Sequence, residues 1–473
     1  MIVMKSQKLG LVSVVSTGVG LVIATSCMLS LCQGAAQIGT FFILSIVIAC
    51  VLNMLTAASL AELNALMPAL TGGLAQYTLA GLGPFVTLVS MVGGYLICNS
   101  LTAPVEGTMF AFAMQEITGL SIPAPFFSVG LTILLVIANL LGVDMFAKIQ
   151  NVVAVLLIGS MILLGIIGLL GMGSGETVHQ AYTANDSSLV DGFTMSAAAF
   201  WLFIGVEFII PISKDVKNPK RNIPLGMFLS LGIICVIQIV LVLGIHRYVP
   251  WDSLSQSSSP HILYGIQLLG DFGKIWIGIV AILAAISTQN SVINSIPKIC
   301  YGMSKMNMLP EIFQKTNRHG APAAGILIYG AVIIFIEGSG LASTDGISFL
   351  ILTASVFWMV SYIISHINVL VLRRRMPKVP RNFKVPFGPL LPLAGIAGTG
   401  YMIFHISSDP VKRLQIWLVT GGIFLLLALY AAVWIKKRMK MPMFQAVSLE
   451  KVMAMEHPLY YQIRKKSHLK KAS

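Results

Sequence analysis

Long apolar stretches alternate with short polar loops along most of this chain. About twelve of the stretches are long enough to cross a bilayer, since a spanning helix needs roughly 20 apolar residues. The sequence therefore predicts an all-α integral membrane protein, with helices near residues 9–31, 40–66, 84–115, 125–142, 149–172, 193–213, 225–246, 272–303, 323–337, 346–372, 388–406 and 414–435.

Composition supports a membrane protein and argues against a soluble one. Hydrophobic residues make up 56% of the chain, charged residues only 10%, and the mean hydropathy is +0.87. A soluble domain carries about 25% charged residues, so this chain has too few of them to cover its own surface. Glycine-rich nucleotide motifs and clustered His or Cys ligands do not occur in a usable context. We therefore expect no enzyme activity, no cofactor and no metal site.

The net charge of +14 is unevenly distributed, and its distribution predicts an orientation. Lys and Arg concentrate in the loops after the sixth, eighth and tenth predicted helices and in the tail 437–473, whereas the segments 173–192 and 337–345 contain none. Because cytoplasmic loops are enriched in Lys and Arg, both termini are predicted to lie in the cytoplasm and Glu337 in an external loop. This topology accounts for the positive charge, so we expect no nucleic-acid partner. The tail is expected to contact membrane lipid.

Two predicted helices are interrupted at matching places. The first contains Ser16–Gly20 and then Ala24–Cys27, and the sixth contains Ile204 and Gly205. Small residues of this kind also allow close helix packing. Interruptions in the leading helices of two possible five-helix repeats, however, are the best sequence sign of a transporter binding site.

Four stretches, in order along the chain, resemble one transporter family. Residues 201–207 read WLFIGVE, and residues 216–224 read VKNPKRNIP. Thr71-Gly72-Gly73 with Tyr77, the stretch 287–310 and the basic stretch 373–389 also follow the family's pattern. The chain resembles the amino acid/polyamine/organocation (APC) superfamily, as a bacterial amino acid permease similar to the basic amino acid and polyamine antiporters.

The resemblance implies a ten-helix core of two inverted five-helix repeats, the LeuT-like fold, over residues 1–372. Two extra helices with the preceding basic loop would follow at 373–436, and the cytoplasmic tail would be 437–473. In this fold the substrate's carboxylate meets amides of an unwound helix 1, and its amine meets carbonyls of an unwound helix 6. Two placements fit the helix 1 break. The spacing to helix 2 favours Ala24, Thr25 and Ser26, and the rival placement is Gly18–Gly20.

Aromatic and acidic residues complete the predicted site. By resemblance, Trp201 and Phe203 are expected to gate the substrate beside the break at Ile204 and Gly205, and Glu207 to act as a gate or in proton coupling. Glu106 lies in helix 3 between Pro104 and Gly107, which loosen the helix locally. Its carboxylate is predicted to pair with a cationic substrate or to take up a proton.

Ion coupling is less well indicated than the substrate site. Some related permeases have a lysine in helix 5, and Leu157 stands at that position here. Ser287 and Thr288 offer oxygens for a sodium ion, but the sequence shows no nearby acid. Exchange, or protonation of Glu106 or Glu207, is therefore the favoured prediction.

The resulting hypothesis is a secondary active transporter of an amino acid or related amine, working by alternating access in a bacterial inner membrane. The protein is expected to be a monomer or a homodimer. One alternative is an antiporter specific for cationic amino acids or polyamines. Another is a non-transporting nutrient sensor of the same fold.

Overall fold

The computed structural model describes residues 9–67, 74–142 and 146–455. The Gly-Gly stretch at 71–73 and the basic tail from residue 456 onward, which entered the sequence interpretation, lie outside these residues. Apart from an isolated bridge between Leu9 and Val216, the regular structure in the described parts is helical.

Eight helices form the first part of the chain. They are α1 (Leu11–Val22), α2 (Thr25–Ile38), α3 (Phe42–Leu66), α4 (Leu74–Gly81), α5 (Pro84–Met91), α6 (Cys98–Thr118), α7 (Ala124–Leu140) and α8 (Phe146–Leu170). A π-helical segment, Val92–Ile97, joins α5 to α6 in one continuous span.

Ten helices follow. They are α9 (Leu189–Thr194), α10 (Ser196–Phe200), α11 (Pro219–Tyr248), α12 (Trp251–Gln256), α13 (Pro260–Lys305), α14 (Ala323–Gly338), α15 (Thr344–Arg375), α16 (Leu390–Phe404), α17 (Pro410–Trp434) and α18 (Leu449–Met455). The long α13 is bent at Gly270, whose φ of 62° is left-handed.

Membrane crossing follows from length and composition. Among the described residues, seven helical runs are long and apolar enough to span a bilayer, and five shorter apolar helices accompany them. These runs coincide with the apolar stretches of the sequence, so the predicted all-α membrane fold is confirmed.

The loops gather on two faces of the molecule. What we call the basic face contains the segments 216–218, 306–322 and 373–389. There Lys217 N–H donates to the Leu9 carbonyl, and Asn317 Nδ2 donates to that of Leu140 at the end of α7. The opposite face contains 173–188 and 339–343. There Asn185 Nδ2 donates to the Gln37 carbonyl at the end of α2.

A buried ion network organises the basic face. Glu62, near the end of α3, accepts a hydrogen bond of 2.8 Å from Arg373 Nε and another of 2.8 Å from the Val385 amide. Arg381 Nε lies 3.4 Å from the same carboxylate. The arginines after α15 therefore do more than set topology, because they tie the loop 376–389 to α3.

Glu337 corrects the sequence interpretation. It was expected in an external loop, but it is the penultimate residue of α14 and is 2% exposed. Thr132 Oγ1 donates to its carboxylate at 2.8 Å, and Gln289 Nε2 donates at 3.0 Å. Helix α14 ends at Gly338, one residue beyond the predicted run 323–337. Glu337 therefore stays in the helix, where contacts from other helices bury it, and the charge pattern does not show those contacts.

A candidate substrate cavity at two helix breaks

The first break separates α1 from α2. Helix α1 ends at Val22, and Ile23 and Ala24 are extended, with ψ of 118° and 168°. Helix α2 then begins at Thr25. The interruption thus adjoins Ala24–Ser26, while Gly18 and Gly20 lie inside α1. The amides of the first turn of α2 have no partners within the helix, so this end favours an anion.

The second break lies after α10. A 3₁₀ turn at Trp201–Phe203 leads to Ile204, which is extended with ψ of 138°, and to Gly205 with φ of +115°. A longer 3₁₀ segment, Val206–Asp215, follows. Few residues other than glycine adopt that φ, so Gly205 makes this break sharp.

A cavity of about 590 Å³ lies between the two breaks, α6 and α13. It reaches the basic face, since exposed His319 and Gly320 belong to its lining. Its wall combines backbone from the breaks with polar, charged and aromatic side chains: Ala24, Ser26, Asn99, Thr102, Glu106, Asn139, Trp201, Ile204, Gly205, Phe208, Thr288, Asn290, Ser291, Ser295, Lys298 and Trp358.

Glu106 contacts the N-terminus of α2 directly. Its Oε1 accepts a hydrogen bond of 3.2 Å from the Ser26 amide. Its Oε2 is buried and has no hydrogen-bond partner among the residues that the structure describes. The side chain is 3% exposed and lines the cavity. One carboxylate oxygen therefore caps the half-helix, and the other is available for a new partner.

Trp201 connects the two breaks. Its indole Nε1 donates to Ser26 Oγ at 3.1 Å, and its carbonyl accepts a 3.7 Å contact from the Cys27 thiol. The ring is partly buried on the cavity wall. The ring lies where a ligand at the N-terminus of α2 would meet an aromatic surface.

Glu207 has a different environment. Its carboxylate accepts hydrogen bonds from the Gly205 amide at 3.2 Å, from Trp358 Nε1 at 2.8 Å and from the Tyr362 hydroxyl at 2.8 Å. It lines a second, mostly apolar cavity of about 480 Å³ that includes Met303 and Lys305. Three donors hold this carboxylate, so it fixes the Gly205 break against α15.

Besides Glu207, three of the predicted site residues lie off the main cavity wall. Thr25 Oγ1 donates to the Ala281 carbonyl of α13 at 3.5 Å. Phe203 is fully buried in the apolar core. Ser287 is also buried, whereas its neighbour Thr288 lines the cavity. The structure thus brings Ala24, Ser26, Glu106, Trp201, Ile204, Gly205 and Thr288 together around one space.

An asparagine pair on the same wall escaped sequence reasoning. Asn139 of α7 donates from Nδ2 to Asn290 Oδ1 of α13 at 2.8 Å, and both line the cavity. Two amides in separate apolar helices were the available signal. Within the described residues, no group of three His, Cys, Asp or Glu side chains is arranged to hold a metal.

Comparison with known proteins identifies the family. The profile of the amino acid permease family matches residues 9–438. The chain belongs to the amino acid permease family. It is therefore a multi-pass membrane transporter of the APC superfamily, and not an enzyme.

Several known transporters are similar to the permease over about two thirds of its length or more. The branched-chain amino acid permease BcaP of Bacillus subtilis is 23% identical, covering 88% of this chain and 91% of the relative. The methylthioribose transporter of the same species is 22% identical, covering 87% and 89%. The D-serine/D-alanine/glycine transporter of Escherichia coli K12 is 22% identical, covering 64% and 67%.

A solved structure supports the fold. The Eremococcus coleocola manganese transporter, in complex with an aromatic bis-isothiourea substituted compound, superposes with a TM-score of 0.52 at 15% identity, covering 90% of this chain and 94% of that one. The permease therefore has the LeuT-like helical architecture.

Proposed function

We propose that this permease carries an amino acid or a related amine through the cavity at the two helix breaks, by alternating access. The observation that carries the proposal is the convergence of the end of α2, the Glu106 carboxylate and the Trp201 ring on one cavity. Together they offer an amide for a carboxylate, a counter-charge for an ammonium group and an aromatic surface. Relatives named for branched-chain and small amino acids support the same substrate class.

The two glutamates would have separate tasks in this proposal. Glu106 is held by Ser26 alone among the described residues and has a free oxygen, so it is suited to exchange partners with a substrate or a proton. Glu207 has three donors and would position the gate. Thr288 on the cavity wall could add an oxygen to an ion or substrate. Exchange, or coupling to a proton at Glu106, therefore remains the proposed source of driving force.

Orientation and organisation belong to the same proposal. The basic face would be cytoplasmic, with both termini there, because Lys and Arg are retained on that side of a membrane. The cavity would then be open to the cytoplasm. Residues 1–372 would form the transporting core, with 373–436 and the tail as additions to it.

A preference for cationic substrates is the second candidate, and the free oxygen of Glu106 favours it. An unpaired buried carboxylate attracts a positive charge. The indole of Trp201 would add about 0.5–2 kcal/mol to cation binding. Lysine, arginine or a diamine would then exchange better than valine.

Counterflow in proteoliposomes tests the proposed function. Vesicles preloaded with unlabelled L-alanine, L-valine, L-serine, L-arginine or putrescine receive the same compound in labelled form. At least one should accumulate label faster in preloaded than in empty vesicles, and protein-free vesicles give the background. Equal uptake in preloaded, empty and protein-free vesicles for the whole panel would reject transport of this substrate class.

A further inference from the structure

The N-terminus of α2 is not vacant, because the protein's own carboxylate occupies it. We propose that Glu106 is an internal stand-in for the substrate's carboxylate. An α-amino acid would displace it from the Ser26 amide and pair its ammonium group with the displaced Glu106. This inference rests on the proposed function, and it deepens it by naming how the site distinguishes zwitterions, amines and carboxylates.

The contact between Glu106 and Ser26 is a cap supplied from another helix. Ala24, which precedes α2, has no side-chain oxygen with which to cap it, and no side-chain cap is present. Ser26 is the second residue of the 14-residue helix, so its amide has no partner within α2. Glu106 of α6 supplies the acceptor at 3.2 Å. The position that a ligand's carboxylate would favour is therefore filled by a tethered one.

The second oxygen of Glu106 shows that this cap is incomplete. Oε2 is buried without a partner in the described chain, although the carboxylate lines an open cavity. A buried charge with few hydrogen bonds is costly, so pairing with a cation would stabilise the Glu106 carboxylate. The contrast with Glu207 is direct, because Glu207 already has three donors. Of these two glutamates, Glu106 is the one that occupies a ligand-like position and has an oxygen without a hydrogen-bond partner.

Charge then determines which ligands the site accepts. A ligand with a carboxylate and no cation would bring a second negative charge next to Glu106, and like charges repel. An amine without a carboxylate can bind Oε2 and leave the cap in place. An α-amino acid satisfies both partners, since its carboxylate takes the Ser26 amide and its ammonium takes Glu106. Glu106 thus excludes simple carboxylates from an end of α2 that would otherwise bind them.

Direct binding of three small probes tests this selectivity without a transport assay. Isobutylamine, isobutyrate and L-valine are titrated into the purified full-length permease by calorimetry. Wild-type protein should prefer isobutylamine to isobutyrate by about tenfold or more, which corresponds to about 1.4 kcal/mol. In Glu106→Ala the amide of Ser26 becomes free. The affinity for isobutyrate should therefore rise, and the affinity for isobutylamine should fall, by at least about tenfold each.

Two further variants keep the test decisive. Glu106→Gln retains the size and the acceptor for Ser26 but has no charge. Its affinity for isobutylamine should fall and its affinity for isobutyrate should not rise. This variant keeps the test possible even if Glu106→Ala fails to fold. Glu337→Gln is the matched control, because Glu337 is another buried glutamate, is held by Thr132 and Gln289, and is absent from the cavity lining. Its probe selectivity should equal that of wild type.

The contrary outcomes are equally specific. The stand-in role is overturned if folded Glu106→Ala binds isobutyrate no better than wild type, or if Glu106→Gln keeps wild-type affinity for isobutylamine. Loss of selectivity in Glu337→Gln would also overturn it. Failure of the proposed function looks different. The probes would then show the expected selectivity while no compound in the counterflow panel exchanges.

Discussion

Two glutamates near the helix breaks show how environment assigns different roles to one residue type. Glu207 is fixed by a backbone amide, an indole and a phenol from three residues, whereas Glu106 is held by Ser26 alone among the described residues. Both cap a broken helix with negative charge, as the helix dipole favours. In the proposed transport cycle, the number of residues that donate to each carboxylate would decide which one changes partner.

Trp201 contributes both a hydrogen bond and an aromatic wall to the cavity, and two substitutions can separate these contributions. Trp201→Phe removes the indole donor to Ser26 but keeps a ring, and Trp201→Ala removes both. One hydrogen bond contributes about 1 kcal/mol, so Trp201→Phe should change the half-saturation concentration for counterflow by only about fivefold. Trp201→Ala should reduce exchange by more than tenfold, because the aromatic wall is lost.

Trp276→Phe is the control for this experiment. Trp276 also donates its indole hydrogen to a serine, at 3.0 Å to Ser160 Oγ, but it does not line the cavity. Its counterflow should match that of wild type. Equal exchange by folded Trp201→Ala and wild type would remove Trp201 from the gate.

Single residues were partly predictable from the sequence. Glu106 and Trp201 stood out because acids and clustered aromatics are rare in apolar helices, and both line the cavity. Phe203 belongs to the same cluster but is turned into the core by the 3₁₀ geometry at Trp201–Phe203. Glu337 was assigned to a loop, because its burial depends on Thr132 and Gln289 from helices distant in sequence.

At the scale of elements, the two breaks arise by different means. Gly205 encodes the second break locally through its φ of +115°. The first break falls at Ile23 and Ala24, neither of which is a helix breaker in itself. Tertiary contacts from Glu106 and Trp201 support the new helix start. That is why small residues in the sequence left two placements open for helix 1 and only one for helix 6.

The network around Glu62 gives a prediction about stability. Glu62→Gln leaves Arg373 and Arg381 without their anion in a buried setting, where breaking a pair costs about 3–5 kcal/mol. The melting temperature of the detergent-solubilised protein should fall by several degrees. Glu116→Gln is the control, since Lys274 and Glu116 form a pair whose side chains are 33% and 40% exposed, and such pairs contribute about 0–1 kcal/mol.

The comparison of these two variants is measured by thermal unfolding in one detergent. A fall in melting temperature confined to Glu62→Gln supports the network as the link between α3 and the loop after α15. Equal melting temperatures for wild type and Glu62→Gln would show that the loop is held by its apolar and backbone contacts instead.

For the whole molecule, the cavity reaches one face. It runs from the helix breaks to exposed residues of the basic face, as expected for one of the two states in the proposed alternating access. The fold class could be predicted from the sequence, since apolar run length reports directly on membrane crossing. The direction of the opening could not, because it depends on how the bundle packs around α13.

Substrate protection of a thiol in the cavity tests the central claim most directly. Ser295 of α13 is exposed and lines the cavity near the basic face, and Ser253 of α12 is exposed on the opposite face. Each is replaced in turn, Ser295→Cys and Ser253→Cys, in a background with the native cysteines changed to serine or alanine. Both proteins are treated with a membrane-impermeant thiol reagent in intact cells and in inside-out vesicles.

In inside-out vesicles the Ser295→Cys protein should be labelled, the compound that wild type exchanges should slow the labelling, and labelled protein should lose counterflow. The Ser253→Cys protein should be labelled in intact cells, without protection and without loss of exchange. Labelling of Ser295→Cys in intact cells but not in inside-out vesicles would contradict the orientation. Full labelling of Ser295→Cys that leaves exchange unchanged, with no protection by substrate, would contradict the cavity as the transport route.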